Sequence, residues 1–130
     1  MKSRRRSVSR EERLKRRRDF ALVFSEGKGV SDRRLVVHAR PNGLPFNRVG
    51  FAVGKRHGNA VTRNRLRRLL REAYRTQKPR LPQGYDVVVV PRQGCPDDLE
   101  VLRGSIASLL HRVPDVFTSR PKPSTEEAGQ

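Results

Sequence analysis

This sequence predicts one α+β domain whose elements run α-β-β-β-α-β-α, and three observations lead there. The chain has 130 residues, enough for one domain of ordinary size and too few for two. Apolar residues recur at helical spacing around Leu66–Tyr74 and Leu99–Val113, while 35–39, 48–53 and 86–90 read as strands. Clusters of Gly, Pro and Asn separate these stretches. A domain of this length buries roughly 65% of its unfolded surface, so one modest core suffices.

In chain order, residues 1–8 lack apolar periodicity and read as a mobile basic arm. Phe20, Ala21, Val23 and Phe24 mark a short amphipathic helix closed by Gly27. Ser9-x-x-Glu12 resembles a capping box, although the apolar pattern starts only near Asp19. Gly29-Val30-Ser31 adds a short edge strand. Leu35–Ala39 is a strand ended by Pro41-Asn42-Gly43, and Arg48–Val53 a second; the turn-rich stretch between them fits a hairpin. Leu66, Leu69, Leu70, Ala73 and Tyr74 form one helical stripe, starting at Gly58-Asn59 or Thr62 and ending at Lys78-Pro79. Asp86–Val90 is apolar at successive positions, as in a strand covered on both faces. Pro96-Asp97-Asp98 opens a last helix, its acids suited to the helix dipole, with Leu99, Leu102, Ile106, Leu109, Leu110 and Val113 as the buried face. The polar, Pro-containing end, 118–130, is expected to be disordered, which leaves 9–117 as the domain.

Charge narrows the function. Lys and Arg number 30 against 13 Asp and Glu, a formal net charge of +17, and 24 of the 30 are arginine. Residues 1–18 carry a net +8, 19–54 a net +2, 55–80 a net +9 and 81–130 a net −2. Such an excess repels itself in a folded state and implies a polyanionic partner. A single cysteine, Cys95, excludes a disulfide framework and a cysteine-based zinc site, and its position between Gly94 and Pro96 reads as incidental. The longest aliphatic run, Val87–Val90, is far too short for a membrane span, and no apolar stretch follows the basic Met1–Arg6. A soluble, cytoplasmic polyanion binder is the expectation.

The basic helix sharpens this. At about 100° per residue, Asn64, Arg68, Arg71 and Arg75 fall within about 60° of one another, opposite the apolar stripe. Arg65 and Arg67 flank the row, and Glu72 alone interrupts it. Adjacent arginines one turn apart repel, so the pattern does nothing for an unliganded helix. It suits a ridge whose guanidinium forks match phosphate oxygens. No two-helix DNA-reading unit precedes it and no zinc-finger spacing occurs, so the expected partner is RNA rather than DNA. Phe20 and Phe24, one turn apart, fit core packing, which their spacing alone favours, or the stacking of single-stranded bases.

The segment Lys55-Arg56-His57-Gly58-Asn59-Ala60-Val61-Thr62-Arg63-Asn64-Arg65, continued by Arg68, Arg71 and Glu72, resembles the signature of the protein subunit of bacterial ribonuclease P. That signature is K-[KR]-x-G-x-A-V-x-R-N-R, then Arg three and six residues on, then Glu. The run Arg13-Leu14-Lys15 through Asp19-Phe20 to Val23-Phe24 is similar to the family's first helix, and the likeness spans about residues 10–113. It implies a sandwich in which helices pack a small mixed sheet, of the ribosomal protein S5 domain 2-like kind, with a left-handed β-α-β crossover. The general rule for parallel β-α-β units would predict a right-handed one.

By the same resemblance, the protein binds a catalytic RNA that removes the 5′ leader of precursor tRNA, with Mg2+ held in the RNA's own site. Lys55, Arg56, Arg63, Asn64, Arg65, Arg67, Arg68, Arg71 and Arg75 would face that RNA. Phe20, Phe24, Val36 and His38 would line a cleft for the single-stranded leader; His38 stands where the family often has Tyr or Phe. No protein residue is expected to be catalytic or to ligate metal. His38, His57 and His111 are joined by no motif. Gly54–Gly58 lacks phosphate-loop spacing, and a helix start accounts for Asp97, Asp98 and Glu100. The other reading is a ribosomal or structural RNA-binding protein that uses the same helix without a role in cleavage.

Overall fold

Valines 87–90 set the architecture, because a strand apolar on both faces must be covered on both. In the computed structural model, which describes residues 9–118, that strand is β4 (Tyr85–Pro91) and sits inside a four-stranded sheet. The other strands are β1 (Lys28–Ser31), β2 (Leu35–Pro41) and β3 (Arg48–Phe51), and the spatial order is β1-β2-β4-β3. β2 runs antiparallel to both β1 and β4, whereas β3 runs parallel to β4. The helices are α1 (Arg17–Glu26), α2 (Ala60–Arg75) and α3 (Leu99–Thr118). This is the α-β-β-β-α-β-α order expected. The basic arm 1–8 and residues 119–130 of the predicted tail lie outside the described residues.

The strand period divides two layers. Leu35, Val37 and Ala39 of β2, with Val87 and Val89 of β4, are buried in the main core against Leu66, Leu70, Ala73 and Tyr74 of α2 and Leu102, Ile106 and Leu109 of α3. Their neighbours in the pleat face the other way. There Val88 packs with Leu14 and with Val23 of α1, beside partly buried Phe20 and Val90. α1 and α2 therefore lie on opposite faces of the sheet.

One expectation is corrected: β2 and β3 do not form a hairpin. β4 separates them, pairing Val37 with Val89 on one side and Val49 with Val87 on the other. Turn chemistry at Pro41-Asn42-Gly43 permits a tight return, but it bends the chain toward 82–85 instead. Asn42 donates its backbone N–H to Gly84 O at 2.9 Å. Asn47, fully buried, donates from Nδ2 to Pro82 O at 2.7 Å and accepts from the Tyr85 N–H at 2.8 Å. Burying both faces of β4 outweighs the local hairpin.

Two helix boundaries also differ. The Ser9 N–H donates to Glu12 Oε1 at 2.9 Å, as in a capping box, but this closes a separate 3-10 turn, Arg10–Glu12. The chain then runs beside β3, with the Leu14 N–H on Val49 O at 3.0 Å, before α1 begins at Arg17. At its other end α2 stops at Arg75, and Lys78-Pro79-Arg80 forms a 3-10 turn of its own. Its start follows the sequence: Asn59 Oδ1 accepts from the Thr62 N–H at 2.9 Å, after Gly58 at φ 115°, a conformation that favours glycine.

Candidate nucleic-acid interface

Burial of Leu66, Leu70, Ala73 and Tyr74 turns the arginine-bearing side of α2 outward, and the structure sorts those arginines into distinct environments. Arg68 is exposed and has no hydrogen-bond or ion-pair partner among the described residues, and the same holds for Lys55 and Arg56 on the 3-10 turn Lys55–His57. Arg63 folds back, donating from Nε to Gly58 O at 3.1 Å. Arg67 donates from Nη1 to Asn64 Oδ1 at 2.7 Å and reaches Val53 O at 3.4 Å. Arg65 faces Asp97 of the β4–α3 loop at 3.5 Å. Arg75, predicted in the free row, is instead held by both carboxylate oxygens of Glu72.

Arg71 leaves the row as well. Its guanidinium lies 5.9 Å from the Phe51 ring centroid, a cation–π contact. Burial first, then the charges of Arg13 and Arg67, lower its pKa. Arg67, Arg71, Arg13 and Lys15 surround a cleft of about 300 Å³ with Phe20 and Phe51 in its walls. Arg13 and Arg67 stand close enough to Arg71 to disfavour its charged form, a crowding that an incoming anion relieves. Arg13, Lys15 and Phe51 were missed in the sequence. Their signal is the alternation Arg13-Leu14-Lys15, in which buried Leu14 sends both neighbours to the opposite side of an extended segment.

Across the sheet lies the aromatic groove. Phe24 is 46% exposed and meets His38 edge to face, with centroids 4.9 Å apart and planes at 72°. Val36, two residues before His38 on β2, is half-buried on the same face. Burial pulls the His38 pKa below its ordinary value, so the imidazole is neutral at pH 7 and presents an uncharged ring. Phe20 sits deeper and is not in that contact. It packs over Gly50 so closely that a Cβ there would stand 2.4 Å from Phe20 Cζ. Phe20 thus serves both the small hydrophobic cluster and the wall of the basic cleft, while Phe24 is free to stack.

The three histidines occupy separate elements: His38 on β2, His57 on the 3-10 turn, and His111 on α3 with Nδ1 2.8 Å from Ala107 O. Among the described residues, no three His, Cys, Asp or Glu side chains are grouped to hold a metal ion, and no helix is long and apolar enough to cross a membrane. The arrangement offers phosphate-binding cations on one face and stackable rings on the other.

Residues 8–113 match the family described as Ribonuclease P. The ribonuclease P protein component of Thermotoga maritima is 40% identical over 112 residues, covering 82% of this chain and 96% of that protein. A solved structure of the Thermotoga maritima protein superposes with a TM-score of 0.73 at 39% identity, covering 78% of this chain and 97% of that one. A Staphylococcus aureus RNase P protein structure gives 0.67 at 28% identity, covering 82% and 95%.

Proposed function

This chain belongs to the ribonuclease P protein family, and from that premise we propose that its two surfaces hold two RNAs at once. As a protein component of ribonuclease P it associates with the enzyme's RNA. In this reading α2 and the turn before it supply the contact: Lys55, Arg56, Arg63, Asn64, Arg65, Arg67, Arg68, Arg71 and Arg75 neutralise and orient phosphates of that RNA. The groove of Phe24, His38, Val36 and Phe20 receives the single-stranded 5′ leader of precursor tRNA, whose bases stack on the rings. Hydrolysis takes place on the RNA, where Mg2+ ions activate the attacking water. The protein's part is charge and position: it lowers the metal demand and keeps the leader in line. RNA, not DNA, is the nucleic acid bound, and the cytoplasm is the place of action.

The observation that carries this reading is Arg68 of α2, exposed and without a partner among the described residues, across the sheet from the Phe24–His38 contact. A structural RNA-binding role alone, the other reading of the sequence, is not favoured by relatives that are ribonuclease P components. The deciding experiment is cleavage of a 5′-extended precursor tRNA by a bacterial ribonuclease P RNA at low magnesium, with the protein, without it, and with protein alone. The expected result is rescue by the protein and no cleavage from protein alone. Failure of a folded, RNA-binding protein to rescue would return the assignment to a structural role.

A further inference from the structure

Beyond the ridge, the start of α2 and the β4–α3 loop enclose a second cleft of about 570 Å³, a size typical of small-molecule sites, which run roughly 300–1,000 Å³. Its chemistry is mixed. Arg56, Arg65 and Asp97 line it together with Val61, Leu66, Cys95 and Pro96. Val61 is 77% exposed, an unusual place for a large aliphatic side chain on a face otherwise given to cations. Arg56 has no partner among the described residues. Arg65 is engaged only by Asp97, in a pair whose side chains are 65% and 58% exposed and which an incoming phosphate can replace.

A phosphate backbone alone needs cations, not an apolar floor. A base alone needs the floor, not two guanidiniums. A nucleotide needs both, and it can use an apolar wall only when its base has left the stack. We propose that this cleft receives one unstacked nucleotide of the ribonuclease P RNA, its phosphate between Arg56 and Arg65 and its base against Val61 and Pro96. The leader is the poorer occupant, because α2 and the aromatic groove lie on opposite faces of the sheet. The inference rests on α2 being the RNA-facing helix, and extends the interface to a loop, 93–97, outside the Lys55–Glu72 signature.

Cys95, the single cysteine of the chain, reports on the cleft directly. The full chain is treated with N-ethylmaleimide at about pH 8.5, since burial holds the Cys95 thiol above its ordinary pKa and slows its reaction, both free and saturated with a bacterial ribonuclease P RNA. The RNA should slow alkylation by about tenfold or more, and protein alkylated beforehand should bind the RNA about tenfold more weakly. A methylthio adduct at Cys95, small enough to leave room for a base, should cost less than about threefold. Treated Cys95→Ser serves as the control for reaction elsewhere and should bind as it does untreated. Unchanged alkylation in a complex that Arg68→Ala still weakens overturns the cleft while the ridge stands. Protection combined with full tolerance of the maleimide adduct also overturns it, since the RNA then covers the cleft without entering. If Arg68→Ala has no effect either, α2 does not face the RNA and both readings fail.

Discussion

Gly50 shows how a single missing side chain shapes the site. With Phe20 Cζ 2.4 Å and Leu14 Cβ 3.2 Å from the position of its absent Cβ, Gly50→Ala overpacks the small cluster and should cost about 1–3 kcal/mol in urea unfolding. The same substitution should weaken cleavage of long-leader substrates by shifting Phe20. An unchanged midpoint would mean that the ring has room to move. His38 offers a pH test. Its folded pKa lies below the ordinary 6.5, so as pH falls through the unfolded value the unfolded chain takes up the proton first. Stability should therefore be full above that value, decline as the pH falls through it, and level off below the folded pKa. His38→Phe should flatten this part of the stability profile measured by urea melts, whereas a slope that survives the substitution would belong to another group. Carboxylates such as Glu12 and Asp32, held below their ordinary values, lose their contribution only at more acid pH, so the two effects are separable. At this scale the sequence put Arg68 on the exposed side of its helix and His38 on a strand, as the structure has them. It did not place Arg71 or Arg75, because a helical wheel carries no information about Phe51 or about which rotamer Glu72 will meet.

At the scale of elements, α2 is a helix stabilised from below and left unsatisfied above. Its cap is local and tests simply: Asn59→Ala should cost about 1 kcal/mol of stability, read by thermal or urea melts, and no loss would mean that Thr62 finds another acceptor. The ridge tests separately. Arg68→Ala should lower affinity for ribonuclease P RNA and reduce the salt slope by a little under about one unit, with stability unchanged, because no group among the described residues holds that guanidinium. An unaltered slope would remove Arg68 from the interface. The helix periodicities were legible, since 3.6-residue spacing is a property of the chain itself. The pairing of β2 was not. Local turn residues at 41–43 suggest a hairpin, and only the demand of Val87, Val88 and Val89 for cover on both faces inserts β4 between its neighbours. The capping box forms as read but closes a separate turn: Glu12 accepts from the Ser9 N–H, and its carboxylate also accepts from Lys78 Nζ at 3.0 Å, tying the segment before α1 to the turn after α2.

For the whole molecule, the charge of +17 is tolerable because the fold distributes it. Where cations meet the sheet they are neutralised: Asp86, 1% exposed, accepts from Arg48 Nε at 2.8 Å and from Asn42 Nδ2 at 3.0 Å. On α2 and the turn before it, Arg68, Lys55 and Arg56 have no partner among the described residues, and Arg63, Arg65 and Arg67 make contacts to Gly58 O, Asp97 and Asn64 that a phosphate can replace. Half a dozen such contacts predict that RNA affinity falls with salt on a log–log slope of about −5. Filter binding over a range of salt concentrations would measure it, and a slope near −1 would reduce the interface to a single phosphate. Asp86→Ala should by contrast act on the fold, costing about 3 kcal/mol by stranding Arg48 and Asn42.

What the sequence determined by itself was whatever depends on neighbours in the chain: the period of α2 and α3, the Asn59 cap, the two-sided apolar strand at 86–90, the excess of arginine and the signature from Lys55 to Glu72. The tertiary structure alone decided which strands pair and which arginines are already occupied. It also brought Arg13 and Lys15 to Arg67 and Arg71, and the 93–97 loop to Arg65. Those outcomes depend on contacts between residues tens of positions apart, set by competition for burial against a shared core, and no local pattern records who wins.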